Sequence, residues 1–467
     1  MTATPRTAES LPGPKGLPIL GNLLQVVPAR LHLQMEAWAR EFGSPFHLDM
    51  MGRPIIVSDD VAAFQQIMRQ RPHDWQRSTP VRLAAQEMGF DGLFTAEGDE
   101  WLPQRKLIMQ ALNHTNLPAF FPMLQQVTER LYRRFERAAA ANETFDMTDE
   151  LMRYTVDVTS ALAFGEDPNT IEQSGDRIQQ HMALIFPALL RRIMAPIHWW
   201  RWLPSPSERR LKGALAAVHA HVDALIARGR EQLRQRQPGK PRHLLEAMLM
   251  QAQSGESALD DQRIRANVLT LLLAGEDTTA NSLSWCMPFL AEHPEAQDAL
   301  AAEARSALGE ASVCPSIAQL DQLELCEAAI HESMRLRPTI GIFMMMPTSD
   351  QVVGDVLVRK GERICLIHRP ALQSAKNFDQ PLQFRPQRWL RDSREGVHDK
   401  RAFLQFGTGP RICPGRHLAM VEVRMVLSML LAHFRVELTI PGAELEEVLA
   451  FTVTPKRMPV RLHRRMH

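Results

Sequence analysis

Residues 406–415 read Phe-Gly-Thr-Gly-Pro-Arg-Ile-Cys-Pro-Gly, and the glycines with two prolines enforce an irregular loop. Pro414 is well placed as the first residue of a following helix, which puts Cys413 at a helix N-terminus. Free amides and the positive end of the helix dipole lower a thiol's pKa there. Cys413 is therefore expected as a thiolate, the form that binds a metal or acts as a nucleophile. Arg411, two residues back, adds positive charge for an anionic partner. The plain alternative is a buried cysteine after a glycine turn.

Residues 268–280 begin as a helix apolar on nearly every face and then place Glu276, Asp277, Thr278 and Thr279 in mid-helix. Burying those groups without a purpose costs stability, and the plain reading is a helix that surfaces at this point. Glu332 and Arg335, spaced i, i+3, share a helix face; as a solvated pair they contribute little. Trp101 and Arg105 stand four apart on a helix that starts at Gly98-Asp-Glu-Trp, where a core tryptophan beside a surface arginine is the ordinary reading.

The spacing of Phe406, Gly409, Arg411, Cys413 and Gly415 closely resembles the haem-binding loop of the cytochrome P450s, with no departure at those five positions. The resemblance implies that Cys413 is the thiolate ligand of haem iron, that Arg411 bonds a haem propionate and that Phe406 shields the sulfur, with Gly407 in the same cofactor-binding loop. A thiolate pushes electron density through iron and favours O–O cleavage. Ala274-Gly-Glu-Asp-Thr-Thr279 resembles the same family's oxygen-activating motif. There Ala274 and Gly275 let the backbone lie against the haem, Thr278 is the hydroxyl of the oxygen pocket and Asp277 the acid that delivers protons; Glu276 is the lesser candidate. Splitting O2 into water and an inserted oxygen atom needs two protons, hence a positioned donor.

His331-Glu-Ser-Met-Arg335 resembles the family's E-x-x-R helix, and Phe384-Arg-Pro-Gln-Arg-Trp389 the later segment that closes a triad of Glu332, Arg335 and Arg388. Gln387 stands where the family often has Glu. Trp101 and Arg105 would also bond propionates by this resemblance. A third propionate arginine is missing: Met345 occupies its place in Phe343-Met-Met-Met346, a segment that lines the substrate pocket in relatives.

What the resemblance implies is a soluble, bacterial-type monooxygenase with one haem b, O2 as co-substrate and the reaction RH + O2 + two electrons + two protons giving ROH and water. The chain ends about 50 residues after Cys413, too few for a flavin or iron–sulfur domain of ordinary size. Electrons from NAD(P)H are therefore expected through a separate ferredoxin, flavodoxin or reductase. Arg105, Lys106, Lys400, Arg401 and Arg416 offer a basic patch for an acidic carrier. The rivals are a peroxide-driven peroxygenase, which the Asp277–Thr278 pair suits less well, and a non-catalytic haem or ligand-binding protein. Residues 185–204, with Trp199, Trp200 and Trp202, lie where relatives have lid helices, and their apolar content suggests a lipophilic guest such as a fatty acid, terpenoid or steroid.

The elements that must position these groups are mostly helical. Apolar period marks helices over residues 32–42, 61–68, 101–112, 123–141, 148–164, 207–236, 261–292, 319–336 and 416–434. Alternation marks a hairpin at 46–58, strand-turn-strand about Gly361 at 352–366, a strand at 436–440 and a hairpin at 450–462. Strand pieces at both ends are expected to meet in one small sheet, within one large mainly α haem domain over 1–467 whose first 15 residues form a flexible lead. Lys plus Arg number 54 against 53 Asp plus Glu, so no global field draws the chain to nucleic acid. The five cysteines include no C-x-x-C pair, which argues against a disulfide framework or zinc ribbon and suits a reducing cytoplasm. No uncharged apolar run approaches the ~20 residues of a membrane span. The Pro-Gly-Pro-Lys-Gly-Leu-Pro lead resembles the hinge of membrane-bound relatives without their anchor, and a monomer is expected.

Overall fold

The helix Asp261–Glu292 has the bounds its period dictates; Asp260 caps it by accepting the Arg263 amide at 2.8 Å. Its first half, from Ile264 to Leu273, packs into one apolar cluster with Met182, Leu189, Leu211, Val218 and Leu225. Its second half, from Ala280 to Leu290, packs into another with Ile330, Met425 and Leu430. The polar break at residues 274–279 thus falls where the helix passes from one core to the other. Helix Arg416–His433, apolar nearly all round, buries every side chain from Met420 to Ala432 and centres the second core.

The structure is a computed structural model that describes residues 4–112, 117–173, 177–203, 205–235, 239, 241–254, 260–393 and 396–466. Strands of residues 46–77 meet strands of residues 342–367, but the one small sheet expected is not formed: the described strands divide among four sheets, and those after residue 433 stay apart from the N-terminal ones. β1 (Phe46–Asp49), β2 (Pro54–Ser58), β3 (Trp75–Arg77), β5 (Ile342–Pro347) and β8 (Arg363–Ile367) form a sheet in the order β1-β2-β8-β5-β3, parallel only between β2 and β8. A second sheet joins β4 (Thr144–Asp146), β12 (Pro459–Arg464) and β9 (Phe434–Leu438). Two hairpins, β6 (Gln351–Val353) with β7 (Val356–Val358) and β10 (Glu447–Leu449) with β11 (Val453–Pro455), complete the strands described.

Four other expectations are corrected. Residues 319–336 are two helices, Ile317–Leu320 and Glu324–Leu336. The carboxylate of Glu303, from a preceding helix, accepts the amides of Leu325 and Cys326 at 2.6 and 2.9 Å, starting the second helix anew. Gly361 does turn the chain (φ +92°), but it separates two sheets; the hairpin bends at Gly354 (φ +60°). Residues 450–462 divide likewise, β11 pairing back to β10 while β12 pairs with β4 and β9. The lead is also fastened: Arg6 pairs with Asp355 at 2.8 Å and Ala8 and Leu11 are buried, while residues 1–3 lie outside the described residues.

Candidate active site

Between the two cores lies a cavity of about 790 Å³. Its walls are the 406–415 loop, the break in helix Asp261–Glu292, the start of helix Trp101–Ala111, β3, β5 and the turn between β10 and β11. The loop is closed by the Cys413 amide, which donates to the Phe406 carbonyl at 2.8 Å. Gly409 sits at φ +71° with its Cα against the backbone of Met68, where an added Cβ would come within 2.7 Å of a carbonyl oxygen; only glycine fits. The Cys413 side chain is accessible, and the space it faces is this cavity.

Two expectations about Cys413 change. The following helix begins at Arg416 with Gly415 as its N-cap, so Cys413 stands before the cap and not at the helix start. Burial pushes its thiol up, an effect that the Gly415 and Arg416 amides and the charges of Arg105 and Arg416 offset only in part. The surroundings favour a thiolate, but desolvation exceeds them until a cation meets the sulfur.

Arg71, Arg77, Arg105 and Arg411 all line the cavity. Among the described residues their ion pairs converge on Glu97, which takes Arg411 Nη2 at 2.7 Å and Arg71 Nη2 at 3.2 Å. The Arg77 amide donates to the same carboxylate at 2.9 Å, while its guanidinium donates to the Phe94 carbonyl at 2.6 Å and covers the Phe94 ring at 3.5 Å. Arg411 lies over the Trp101 ring at 5.0 Å. Its pKa falls to about 10 through burial and the nearby Arg71 and Arg105, against the pull of Glu97. Buried Nε atoms of Arg71 and Arg411 have no hydrogen-bond partner. The cradle has more positive charge than one glutamate neutralises, which suits an anionic guest.

Arg71, Arg77 and Glu97 were not singled out from the sequence. Only the strand pairing makes the link: Arg77 stands directly opposite Met345 in the antiparallel β3–β5 pair, beside the position where the third arginine is missing. Met345 itself is buried under the sheet with Phe64 and Trp75, whereas Phe343 and Met344 line the cavity. Arg105 faces inward, so it leaves the proposed basic patch, and Arg401 is paired with Asp399 at 2.8 Å. Lys106, Lys400 and Arg416 remain exposed.

On the opposite wall, Ala274, Gly275 and Thr278 reach the cavity, and Thr278 Oγ1 donates back to the Ala274 carbonyl at 2.8 Å. The smallness of Gly275 also serves a neighbouring helix: a Cβ there would lie 2.7 Å from Thr159 Oγ1. Glu276 is buried outside the cavity wall, its carbonyl accepting from Thr155 Oγ1 at 3.0 Å. Asp277, expected as the acid that delivers protons, lies outside the cavity lining and is turned away from it. Its carboxyl accepts from Asn281 Nδ2 at 2.9 Å and from the Thr452 hydroxyl. Burial raises its pKa to about 6 despite those two hydrogen bonds.

Glu332, Arg335 and Arg388 come together as expected, wholly buried and away from the cavity. Arg335 grips Glu332 through Nε and Nη2, both at 2.8 Å, and Arg388 Nε reaches it at 3.0 Å. Trp389 Nε1 and the Arg385 amide complete the carboxylate at 2.8 and 2.9 Å. In the 185–204 segment, of which residue 204 lies outside the described residues, Leu189, Ile193 and Met194 line the cavity and the tryptophans do not. Trp200 is held outside by Glu87 at 3.0 Å, and Trp202 is exposed.

The family model for cytochrome P450 matches residues 11–460. Human mitochondrial 25-hydroxyvitamin D-1 alpha hydroxylase is 31% identical over 94% of this chain and 89% of its own length. Cyclooctatin synthase of Streptomyces melanosporofaciens is 28% identical over 95% and 94%. The crystal structure of the cytochrome P450DA heme domain shares the fold with a TM-score of 0.86 over 99% of both chains, at 23% identity. Among the described residues no helix is long and apolar enough to cross a membrane. Since the family match takes in every wall of the cavity, from β3 near the N-terminus to the β10–β11 turn near the C-terminus, the chain belongs to the cytochrome P450 family of haem-thiolate monooxygenases.

Proposed function

We propose that this protein hydroxylates a lipophilic small molecule with O2, using haem b held by Cys413 and electrons that start on NAD(P)H and arrive through a separate ferredoxin, flavodoxin or reductase. The observation that carries this reading is that an accessible thiol and Thr278 line one cavity, within a surplus of arginines. These residues fit the cofactor: unpartnered nitrogens on Arg71 and Arg411 await anions, and the cavity volume suits a large planar group with room for a guest. When bound, haem iron supplies the site for O2 activation.

Cys413 would ligate the iron, with Phe406 and Gly407 beside it, while Trp101, Arg105, Arg411 and Arg77 bind the two propionates. Thr278 would pass a proton into the cavity from its hydroxyl and regain one from Asp277, with Ala274 and Gly275 keeping that wall thin. The apolar wall of Leu189, Ile193, Phe343 and Met344 excludes water and favours an apolar guest. Exposed Lys106, Lys400 and Arg416 would attract an acidic carrier. Asp277 and Thr278 together favour O2 over peroxide as the oxidant, because peroxide brings its own protons. The test is turnover of candidate lipids with a ferredoxin and its reductase under 18O2. Label in the product supports the monooxygenase; product formed only with added hydrogen peroxide, without the carrier, supports the peroxygenase.

Two further outcomes follow from the walls. Thr278→Ala is expected to keep haem content and guest binding while product per NAD(P)H falls about 10-fold or more, part of the ~10²–10⁴ that positioned proton transfer contributes. The lost electrons should appear as hydrogen peroxide, and unchanged coupling would remove Thr278 from proton delivery. Arg77→Met is expected to speed haem loss to apomyoglobin by about 10-fold or more, the equivalent of one charge-assisted hydrogen bond at ~1.5–3 kcal/mol. An unchanged rate would confine Arg77 to bracing the Phe94 carbonyl.

A further inference from the structure

Asp277, Asn281 and Trp285 lie at i, i+4 and i+8 on one face of helix Asp261–Glu292, and all three hold the same turn between β10 and β11. Thr452 donates its hydroxyl proton to Asp277 Oδ2 and accepts from Asn281 Nδ2 at 3.0 Å. Asn281 Nδ2 also reaches Asp277 Oδ1 at 2.9 Å, and Thr454 Oγ1 fixes the Asn281 carbonyl at 2.7 Å. Trp285 Nε1 clamps the Val453 carbonyl at 2.9 Å. Thr452 and Asn281 are fully buried, so this ring of hydrogen bonds is shielded from solvent while the turn is in place.

The next residue back in the turn has a different outlook. Phe451 forms part of the cavity wall, its ring 5.5 Å from Phe94 and 5.9 Å from Phe186. One peptide bond therefore separates a side chain that a guest must touch from a hydroxyl that binds the acid. We propose that the turn of residues 449–453 is a latch between occupancy and proton supply: Thr452 and Asn281 hold the Asp277 carboxyl away from Thr278 until a guest pressing on Phe451 shifts the turn and frees it. This rests on the reading of Asp277 and Thr278 given above. The transfer moves one proton and no electrons: the O–H bond of the Asp277 acid breaks as Thr278 Oγ1 takes the proton, Thr278 gives its own hydroxyl proton to the cavity, and water admitted past the displaced turn re-protonates the carboxylate. Thr452 is thus a positioning residue. The latch withholds protons from an empty site, where they would otherwise yield peroxide, and it accounts for a proton donor turned away from the pocket it serves.

The experiment uses the haem-loaded full chain labelled with 13C-aspartate, and 4-phenylimidazole as the probe, whose nitrogen ligates iron while its phenyl ring fills the space above it. The Soret shift reports occupancy, and the isotope-edited infrared band lost in Asp277→Asn reports the carboxyl. In the wild type the probe should shift that band. Thr452→Val should keep the Soret shift and lose the band's response, Thr452→Ser should respond as wild type, and Phe451→Ala should bind the probe with the band unmoved. A full Soret shift with a still carboxyl band in the wild type, or a wild-type response in Thr452→Val, overturns the latch. Failure of the wild type to take up haem overturns the haem reading and the latch with it, whereas haem uptake without any Soret shift on adding the probe overturns the latch alone.

Discussion

Cys413→Ser is expected to abolish the strongly red-shifted Soret band of the reduced, CO-bound protein. A serine hydroxyl fills nearly the same space but does not ionise near neutral pH, so the iron loses its anionic sulfur while the loop keeps its shape. No other cysteine can substitute. Cys286, Cys314, Cys326 and Cys365 are buried, and none of them lines the cavity. Burial also pushes the thiols of Cys286 and Cys365 up to about 12 and that of Cys314 up to about 11. The measurement is the CO difference spectrum of purified variant beside wild type. A variant that retains the red-shifted band would show that Cys413 is not the ligand.

The second large effect is on assembly. Glu332→Ala should yield protein nearly free of haem and destabilised by ~3–5 kcal/mol, because it strands the guanidiniums of Arg335 and Arg388 in a wholly buried setting. The damage reaches the cofactor loop through a short path. Glu332 anchors the Trp389 indole, and Trp389 packs edge-on against Phe403 at 4.8 Å, three residues before Phe406. Burial opposes the charge on Glu332, yet Arg335 and Arg388 hold its carboxyl below the ordinary value. A depressed carboxyl contributes stability above its unfolded pKa near 4.5, and that contribution is lost as pH falls through the lower folded value. Wild type should therefore lose this brace only in acid, whereas the variant lacks it at every pH. Haem-to-protein ratio and melting temperature check both points; a haem-replete, equally stable variant would reduce the triad to a simple ion pair.

Sequence alone made the loop and the helices legible because their signals are local. Glycine, proline and cysteine at fixed spacing define residues 406–415, and an apolar period with an Asp cap fixes helix Asp261–Glu292 to the residue. What stayed hidden is long-range. The cap on helix Glu324–Leu336 comes from Glu303, more than twenty residues away. Arg77 could not be connected to the gap at Met345 without the β3–β5 pairing, which joins residues 268 positions apart. The partner of Asp277 was hidden for the same reason: nothing near it in sequence points to Thr452, 175 residues on, whose hydroxyl holds the carboxyl. Desolvation at Cys413 likewise depends on everything packed around it and on nothing in the decapeptide itself.

The main sheet takes β1, β2 and β3 from residues 46–77 and β5 and β8 from residues 342–367; between residues 77 and 342 the described residues form helices, connections and the separate strand β4. During synthesis the first three strands leave the ribosome with no partner in this sheet but the β1–β2 hairpin, and β3 has none until β5 appears. Loop closure over such a span makes their docking a late event, while the helices between can form locally as they emerge. Arg77 rides on β3, so its corner of the cradle takes shape only once the chain is some three-quarters made. Cys413 arrives later still. The order of translation thus sets the order in which the cradle is completed: the strand that carries Arg77 gains its partner before Cys413 is made, and the thiol comes just ahead of helix Arg416–His433, which centres the second core.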